Sequence, residues 1–410
     1  MPPTRKDWTE RGRPRAAAFA GAALALFIAL AAALPLLGAA SSGASVASIL
    51  AFPPKTTAVT VPAFSGPVVL VLAIVIGIAL VPLAWRWWKE PSAVVTPVRA
   101  LPWWGWAGAV LLATSWTIAW TRLPAMAEVQ RYTFTPLWLG YILIVNALAY
   151  RRSGGCLLLD RPRFLAALFP LSAIFWWYFE YLNRFVRNWH YEGVDTLSAS
   201  QYVIEASVPF ATVLPAVLST AQWLGTFPRW NSAFVDWRCV AWARAPQAAW
   251  IALLLGSLSL VAIGRWPLFA YPLVWVAPFL VLCALQGLTG RRPVCEALAR
   301  GDWRPVVFPA AAALICGFFW ELWNYMSLAR WVYHVPYVTG LRVFEMPLLG
   351  YAGYLPFGLV CAAVVDAVLA VAAPTETALD NQALSRPEQA GSNPRARPSS
   401  SPPRIEVPHD

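Results

Sequence analysis

The chain has 410 residues, of which 59% are hydrophobic and 12% charged, about half the charged share of a globular protein, which excludes a string of soluble domains. Its 24 tryptophans, many near the ends of apolar runs, fit the interfacial belts of a membrane protein. The net charge of +11 comes from short basic clusters scattered between apolar runs; that pattern argues against a nucleic-acid partner and suits loops on an anionic bilayer surface.

Residues 1–15 are basic, with Arg5, Lys6, Arg11, Arg13 and Arg15. The first apolar run, Ala16 to Ala40, is longer than the roughly 7–15 residues of a signal-peptide core, which favours a retained anchor over a cleaved leader. Further apolar runs fall near 65–86, 102–121, 133–150, 164–186, 201–225, 246–264, 268–290, 305–326 and 345–373. At about 18–25 residues per span, the sequence predicts an all-α polytopic membrane protein of about ten helices. Proline and glycine inside these runs are tolerated where neighbouring helices re-satisfy the freed backbone. Residues 16–90 read as a two-helix addition, 101–225 and 246–373 as two membrane units, and 226–245 as a linker. The segment 374–410 is rich in Pro, Ser and Arg and is predicted to be a disordered tail.

With a cytoplasmic N-terminus, 23 of the 31 Lys and Arg fall on the cytoplasmic side. The positive-inside rule therefore puts both termini inside a bacterial-type inner membrane, and segments 187–200 and 327–344 outside. The six cysteines contain no CxxC pair, so no zinc knuckle or redox pair is expected.

One pattern occurs twice. Phe179-Glu180-Tyr181-Leu182-Asn183 is followed by Trp189-His190-Tyr191 and Glu205; Trp320-Glu321-Leu322-Trp323-Asn324 is followed by Trp331, Tyr333-His334 and Glu345. The glutamates and asparagines recur at an offset of 141, the Trp and Tyr at 142, and the last glutamates at 140. The Arg pairs at 151–152 and 291–292, and Phe169-Pro170 with Phe308-Pro309, extend the match. Each unit then has four helices, and an even span count makes the two units parallel repeats about an axis along the membrane normal.

Carboxylates in a span are costly and face a partner or a cavity. Glu180 and Glu321 share a helix face with Asn183 and Asn324 at i+3. Glu205 and Glu345 are expected to open the following helices, where the macrodipole also favours an acid. The expected outcome is an outward-facing acidic and aromatic site between the repeats. Its candidate catalytic residues are Glu321, Glu345, Glu180 and Glu205. Its candidate substrate-binding residues are Asn183, Asn324, Trp189, Tyr191, Trp331, Tyr333, His190 and His334. Bland readings compete: a Glu180–Arg184 ion pair, asparagines as interhelical glue, and Trp, Tyr and His as interfacial anchors. Asp366, alone in the last span, is a candidate proton-relay group. Two His with several Glu have the ligand types of a di-iron site, but no HxxxH or ExxH spacing includes His190 or His334, so no metal or cofactor is expected. Walker, GxSxG, HExxH and DDxxD motifs are also absent, which argues against ATP-driven transport and zinc proteolysis.

The stretch Trp331-Val332-Tyr333-His334-Val335-Pro336-Tyr337-Val338-Thr339-Gly340-Leu341, with Glu345 and Pro347 after it, resembles the membrane-embedded lycopene cyclases of carotenoid synthesis. Those enzymes have two related multi-helix units, each with an aromatic step, a Thr-Gly turn and a Pro-x-Glu-Glu motif. Trp331, Gly340 and Glu345 match that pattern; Trp189 and Glu205 match it less closely. The chain departs from it where Glu345 precedes Met346-Pro347 and has no second glutamate beside it, and the cyclase units are shorter than four helices. The resemblance spans some 30 residues per repeat. It implies a bilayer-embedded protein acting on or binding an isoprenoid or lipid, as a cyclase or isomerase would. A neutral carboxylic acid can supply the proton for such a reaction, and aromatic faces can stabilise the resulting cation. A small-solute transporter or channel and a non-catalytic assembly protein are the alternatives. Neither the ligand nor the oligomeric state is readable from the sequence.

Overall fold

A computed structural model describes residues 5–53, 59–91, 98–194, 196–290 and 293–372, with the side chains of 5–16 and 293 left aside. The tail read as disordered, and the Arg291–Arg292 pair, lie outside the described residues.

The chain is an all-α polytopic membrane protein. Its long helices are α1 (Arg5–Ser41), α2 (Gly66–Lys89), α3 (Trp103–Thr121), α4 (Phe134–Ser153), α5 (Pro162–Val186), α6 (Ala199–Phe210), α7 (Val213–Gly225), α8 (Pro246–Arg265), α9 (Ala277–Leu288), α10 (Arg304–Tyr325) and α11 (Tyr354–Ala372). Among the described residues seven helical segments are long and apolar enough to cross a bilayer, or up to nine if each of two bent pairs is one span. The bent pairs join Pro124–Gln130 to α4 at 76° and Pro267–Trp275 to α9 at 51°. α3 fills the remaining run of the ten expected, but it carries five tryptophans in 19 residues. Tryptophan prefers the interface to the hydrocarbon centre, and α3 is not among the segments that pass as spans.

The run 201–225 is one span in two helices. Pro209 cannot donate to the helix ladder, and the chain breaks at Ala211–Thr212. Buried Ser172 of α5 repairs the break. Its hydroxyl donates to the Phe210 carbonyl at 2.6 Å and accepts from the Leu214 N–H at 3.0 Å, which is how a neighbouring helix makes proline tolerable in a membrane. Before the break, Ser198 and Gln201 close a capping box on α6.

The same helix pairings occur in both halves: α3 packs on α4 as α8 on α9, α5 on α7 as α10 on α11, and α4 on α7 as α9 on α11. Small residues permit the closest approaches. A Cβ at Gly140 would lie 2.8 Å from the Gly108 carbonyl oxygen, so α3 and α4 meet backbone to backbone. The halves join where α7 packs on α10 and Trp138 of α4 reaches the same helix. There Trp138 lies 5.0 Å from both Trp320 and Trp323, ring centre to ring centre, and such pairs add about 0.5–1.5 kcal/mol each beyond area burial. α1 packs on α8, α9 and α11.

The segments read as loops contain strands. β1 (Trp189–Glu192) pairs antiparallel with β2 (Arg330–Tyr333), setting Trp189 opposite Tyr333 and Tyr191 opposite Trp331. Side chains alternate across a strand. One face of this ribbon therefore carries Trp189, Tyr191, Trp331 and Tyr333 toward the helices, and the other carries His190 and Glu192 opposite Val332 and Arg330.

Candidate functional site

Glu180, Asn183, Glu321 and Asn324 are all buried, with 2% exposure for Glu180 and none for the other three. Each asparagine ties its helix end to its strand. The Asn183 amide donates to the Trp189 carbonyl at 2.7 Å and accepts from the Trp189 N–H at 3.3 Å. The Asn324 amide makes the same two bonds to Trp331, both at 2.8 Å. Each end of each amide thus meets backbone, and the asparagines hold the ribbon in place.

Each glutamate is then ringed by donors. Glu180 Oε1 accepts from the Trp176 indole at 3.0 Å, the Trp189 indole at 3.1 Å and the Tyr191 hydroxyl at 2.6 Å. Glu321 Oε1 accepts from the Tyr333 hydroxyl at 2.8 Å and the Tyr354 hydroxyl at 2.6 Å. The Trp331 indole donates to the Tyr333 hydroxyl at 2.9 Å, one step removed from the acid. Glu321 Oε2 is buried without a hydrogen-bond partner. Arg184 does not carry the Glu180 ion pair that the sequence suggested; its guanidinium donates to the Ile49 and Ala51 carbonyls at 2.7 and 3.1 Å.

Burial pushes the Tyr191 and Tyr333 hydroxyls well above the ordinary tyrosine range, and the carboxyl beside each pushes further the same way. Both therefore stay protonated and remain donors to their glutamates.

In front of these groups is a cavity of about 330 Å³ lined by both halves of the chain. Trp176, Trp189, Tyr191, Trp320, Trp331, Tyr333 and Tyr354 wall it on the glutamate side. Phe210 and Val213, which flank the Pro209 break, form another side. Ile204 and Val208, both lining residues, are 64% and 50% exposed within a spanning segment, so the cavity opens toward lipid.

The outer glutamates are at the rim, and both differ from expectation. Glu205 is in the middle of α6 and does not open it, because the helix starts at Ser198's capping box. It pairs with Arg131 at 2.7 Å. Glu345 does not open a helix either. It occupies a two-residue turn between β3 (Arg342–Val343) and β4 (Met346–Pro347), where Phe344 takes a φ of 56°. Helical structure resumes only at Leu348. Arg330 bridges Glu345 at 3.2 Å and Glu192 at 2.9 Å. Ion pairs thus hold both outer acids, and only Glu205 of the two lines the cavity.

His190 and His334 meet on the far side of the ribbon, Nδ1 to Nε2 at 2.9 Å with rings stacked. Burial, then His190 and Arg342, lower the His334 imidazole from its ordinary range, against the pull of Glu192. Neither histidine lines the cavity. Among the described residues no group of three or more His, Cys, Asp or Glu is placed to hold a metal ion. Asp366 is buried in α11, about 18 Å along that helix from Tyr354, and lines neither this cavity nor the apolar groove beside α2.

Two donors were not anticipated. Trp176 precedes Glu180 by four residues, so helical spacing alone could have found it. Tyr354 follows Glu321 by 33 residues on another helix, and no local spacing reveals it.

Comparison with known protein families, curated proteins and solved structures finds no match to this chain.

Proposed function

We propose that this protein binds an apolar isoprenoid or lipid in the aromatic cavity and moves a proton to it through Glu321, in the manner of a cyclase or isomerase. The observation that carries the reading is the donor set of Glu321: two tyrosine hydroxyls, both on the cavity wall, and one carboxyl oxygen with no partner. An indole only donates, whereas a phenol both donates and accepts. A proton can therefore pass from Glu321 to the cavity through Tyr333 or Tyr354, but not through a tryptophan. Addition of that proton to a carbon–carbon double bond leaves a carbocation, which the faces of Trp189, Trp320 and Trp331 stabilise. Loss of a proton from a neighbouring carbon restores a double bond. Protons and electrons balance without an oxidant or a cofactor.

The lipid-facing mouth at Ile204 and Val208 supports this reading over transport, as does the distance of Asp366 from the cavity. The residues shared with lycopene cyclases, Trp331 and Gly340 among them, support the same ligand class. We also read residues 102–225 and 246–373 as two parallel repeats of a ten-span protein with both termini cytoplasmic. The recurring helix pairings and matched asparagine bonds support the repeat, and the charge distribution supports the orientation.

The test is an organic-solvent extract of the purified protein, compared with Ala206→Trp, which fills the cavity from its wall. The expected result is an apolar compound near one per chain in the wild type and absent from the variant. Identical lipid extracts from the two proteins would reject the reading.

A further inference from the structure

A second space is independent of the Glu321 chemistry. None of the α2 side chains is buried, and the helix is fastened to the rest of the chain at its two ends. At its start, the Ser65 N–H donates to the Tyr337 carbonyl at 3.0 Å and the Tyr337 N–H to the Pro62 carbonyl at 3.2 Å. At its end, Arg86 donates to the Ala233 carbonyl at 2.9 Å, and Arg229 donates to the Trp87 and Trp88 carbonyls at 3.2 and 2.9 Å. Between these fastenings runs a groove of about 770 Å³. Its walls include Leu72, Ile76 and Leu83 of α2 and Ala311, Leu314 and Leu359 across from them, and no charged side chain lines it. From Leu72 to Trp87 the groove follows about 22 Å of helix, the scale of one leaflet's hydrocarbon and more. An apolar space of this size inside a span holds hydrocarbon, because water would find no polar partners there.

The charge at one end identifies the kind of lipid. Trp87, Trp230 and Phe234 line the groove where α2 ends. Arg86 and Arg229 gather beside them: Arg86 donates to the carbonyl of Ala233, next to Phe234, and the Arg229 guanidinium lies 4.2 Å over the Trp87 ring. Among the described ion pairs, the acid that meets this cluster is Glu90, 3.5 Å from Arg86. A guanidinium has five N–H donors, and the bonds of Arg86 and Arg229 engage Nε and one terminal nitrogen of each. Two guanidinium groups against one acid, at the mouth of an apolar groove between helices, is an arrangement that binds an anionic lipid headgroup.

We propose that the groove holds one acyl chain of an anionic phospholipid, with its phosphate at Arg86 and Arg229. The chain lies against Trp189 and Tyr333, which line both spaces, and so braces the aromatic wall from behind.

Native mass spectrometry of the full chain tests this. The delipidated protein is offered phosphatidylglycerol and phosphatidylcholine with identical acyl chains. The wild type is expected to retain phosphatidylglycerol at least tenfold over phosphatidylcholine, and glycerophosphoglycerol, which lacks the chains, should not compete. Arg86→Gln with Arg229→Gln should abolish the preference, and Arg86→Lys with Arg229→Lys should keep it. Ala311→Trp, which fills the groove from the α10 wall, should lose both lipids. Equal retention by the wild type, a preference that survives the double Gln change, or undiminished binding by Ala311→Trp overturns the proposal. If the double Gln variant fails to fold, the wild-type competition and Ala311→Trp decide the matter.

Discussion

The two buried glutamates share a frame and differ in their donors. Each lies near the end of its own helix, which an asparagine ties to the strand that follows, and both face the aromatic ribbon. Around Glu180 two of three donors are indoles; around Glu321 both are phenols. The difference traces to one exchange. At the motif offset of 141, Trp176 corresponds to Gly317 and Val213 to Tyr354. Where the first half fills the space beside its acid with the Trp176 indole, the second leaves it open at Gly317, and the Tyr354 ring fills it from another helix. The first acid is held mainly by indoles, which only donate, with Tyr191 as its one phenol. The second is held by groups that can pass a proton on. The recurring frame thus carries two different donor sets, and the proposed chemistry falls to the second, where every donor is a phenol.

Removing the indole that fixes the first centre should have the largest effect. Trp176→Ala empties a site between Phe179, Phe210 and Phe357 and should cost about 3–5 kcal/mol, read as a lower thermal midpoint in detergent. Closing the gap in the second centre is the complementary change. Gly317→Leu puts a side chain where the Tyr354 ring sits and should cost about 1–3 kcal/mol by overpacking, while Tyr354→Phe should cost only about 0.5–1.5 kcal/mol for its hydrogen bond. If Gly317→Leu is no worse than Tyr354→Phe, the exchange of tryptophan for tyrosine is not what separates the halves. Asn183→Leu and Asn324→Leu each orphan a strand N–H and carbonyl and should lower stability by a similar amount, about 1–3 kcal/mol. Unequal losses in the same thermal assay would show that the shared frame is not shared energetically.

The smallest effect concerns the histidine pair. His334 has a folded-state affinity for protons below its ordinary value of 6.5, so the unfolded chain binds more protons as the pH falls. Stability from this source is intact above about pH 6.5 and declines as pH drops through that value toward the lowered one. The thermal midpoint of His334→Gln should therefore fall less than that of the wild type between pH 8 and pH 5.5. An equal fall would remove the pair from the account.

The membrane class, the duplicated Glu and Asn positions and their burial were legible because apolar run length and a constant offset are properties of the linear chain. The ribbon was not, because Trp189–Glu192 and Arg330–Tyr333 are four residues each and pair across some 140 residues. Neither strand is long enough to show alternation on its own. Glu205 and Glu345 looked alike in sequence yet fall in a helix interior and a turn, since the capping box at Ser198 has no counterpart before Glu345. Tyr354 was hidden because its offset partner is a valine. The duplication reveals what the halves share and is silent where they diverge, and the proposed chemistry depends on that divergence.

The most direct measurement compares Glu180→Gln with Glu321→Gln, each keeping volume and losing only the ionisable proton. Both purified variants are assayed for thermal midpoint and for conversion of the apolar compound extracted from the wild type. The account predicts that Glu321→Gln folds with near-wild-type stability and converts none of the compound, whereas Glu180→Gln keeps conversion within a few fold. Wild-type conversion by Glu321→Gln, or equal loss in both variants, would contradict it.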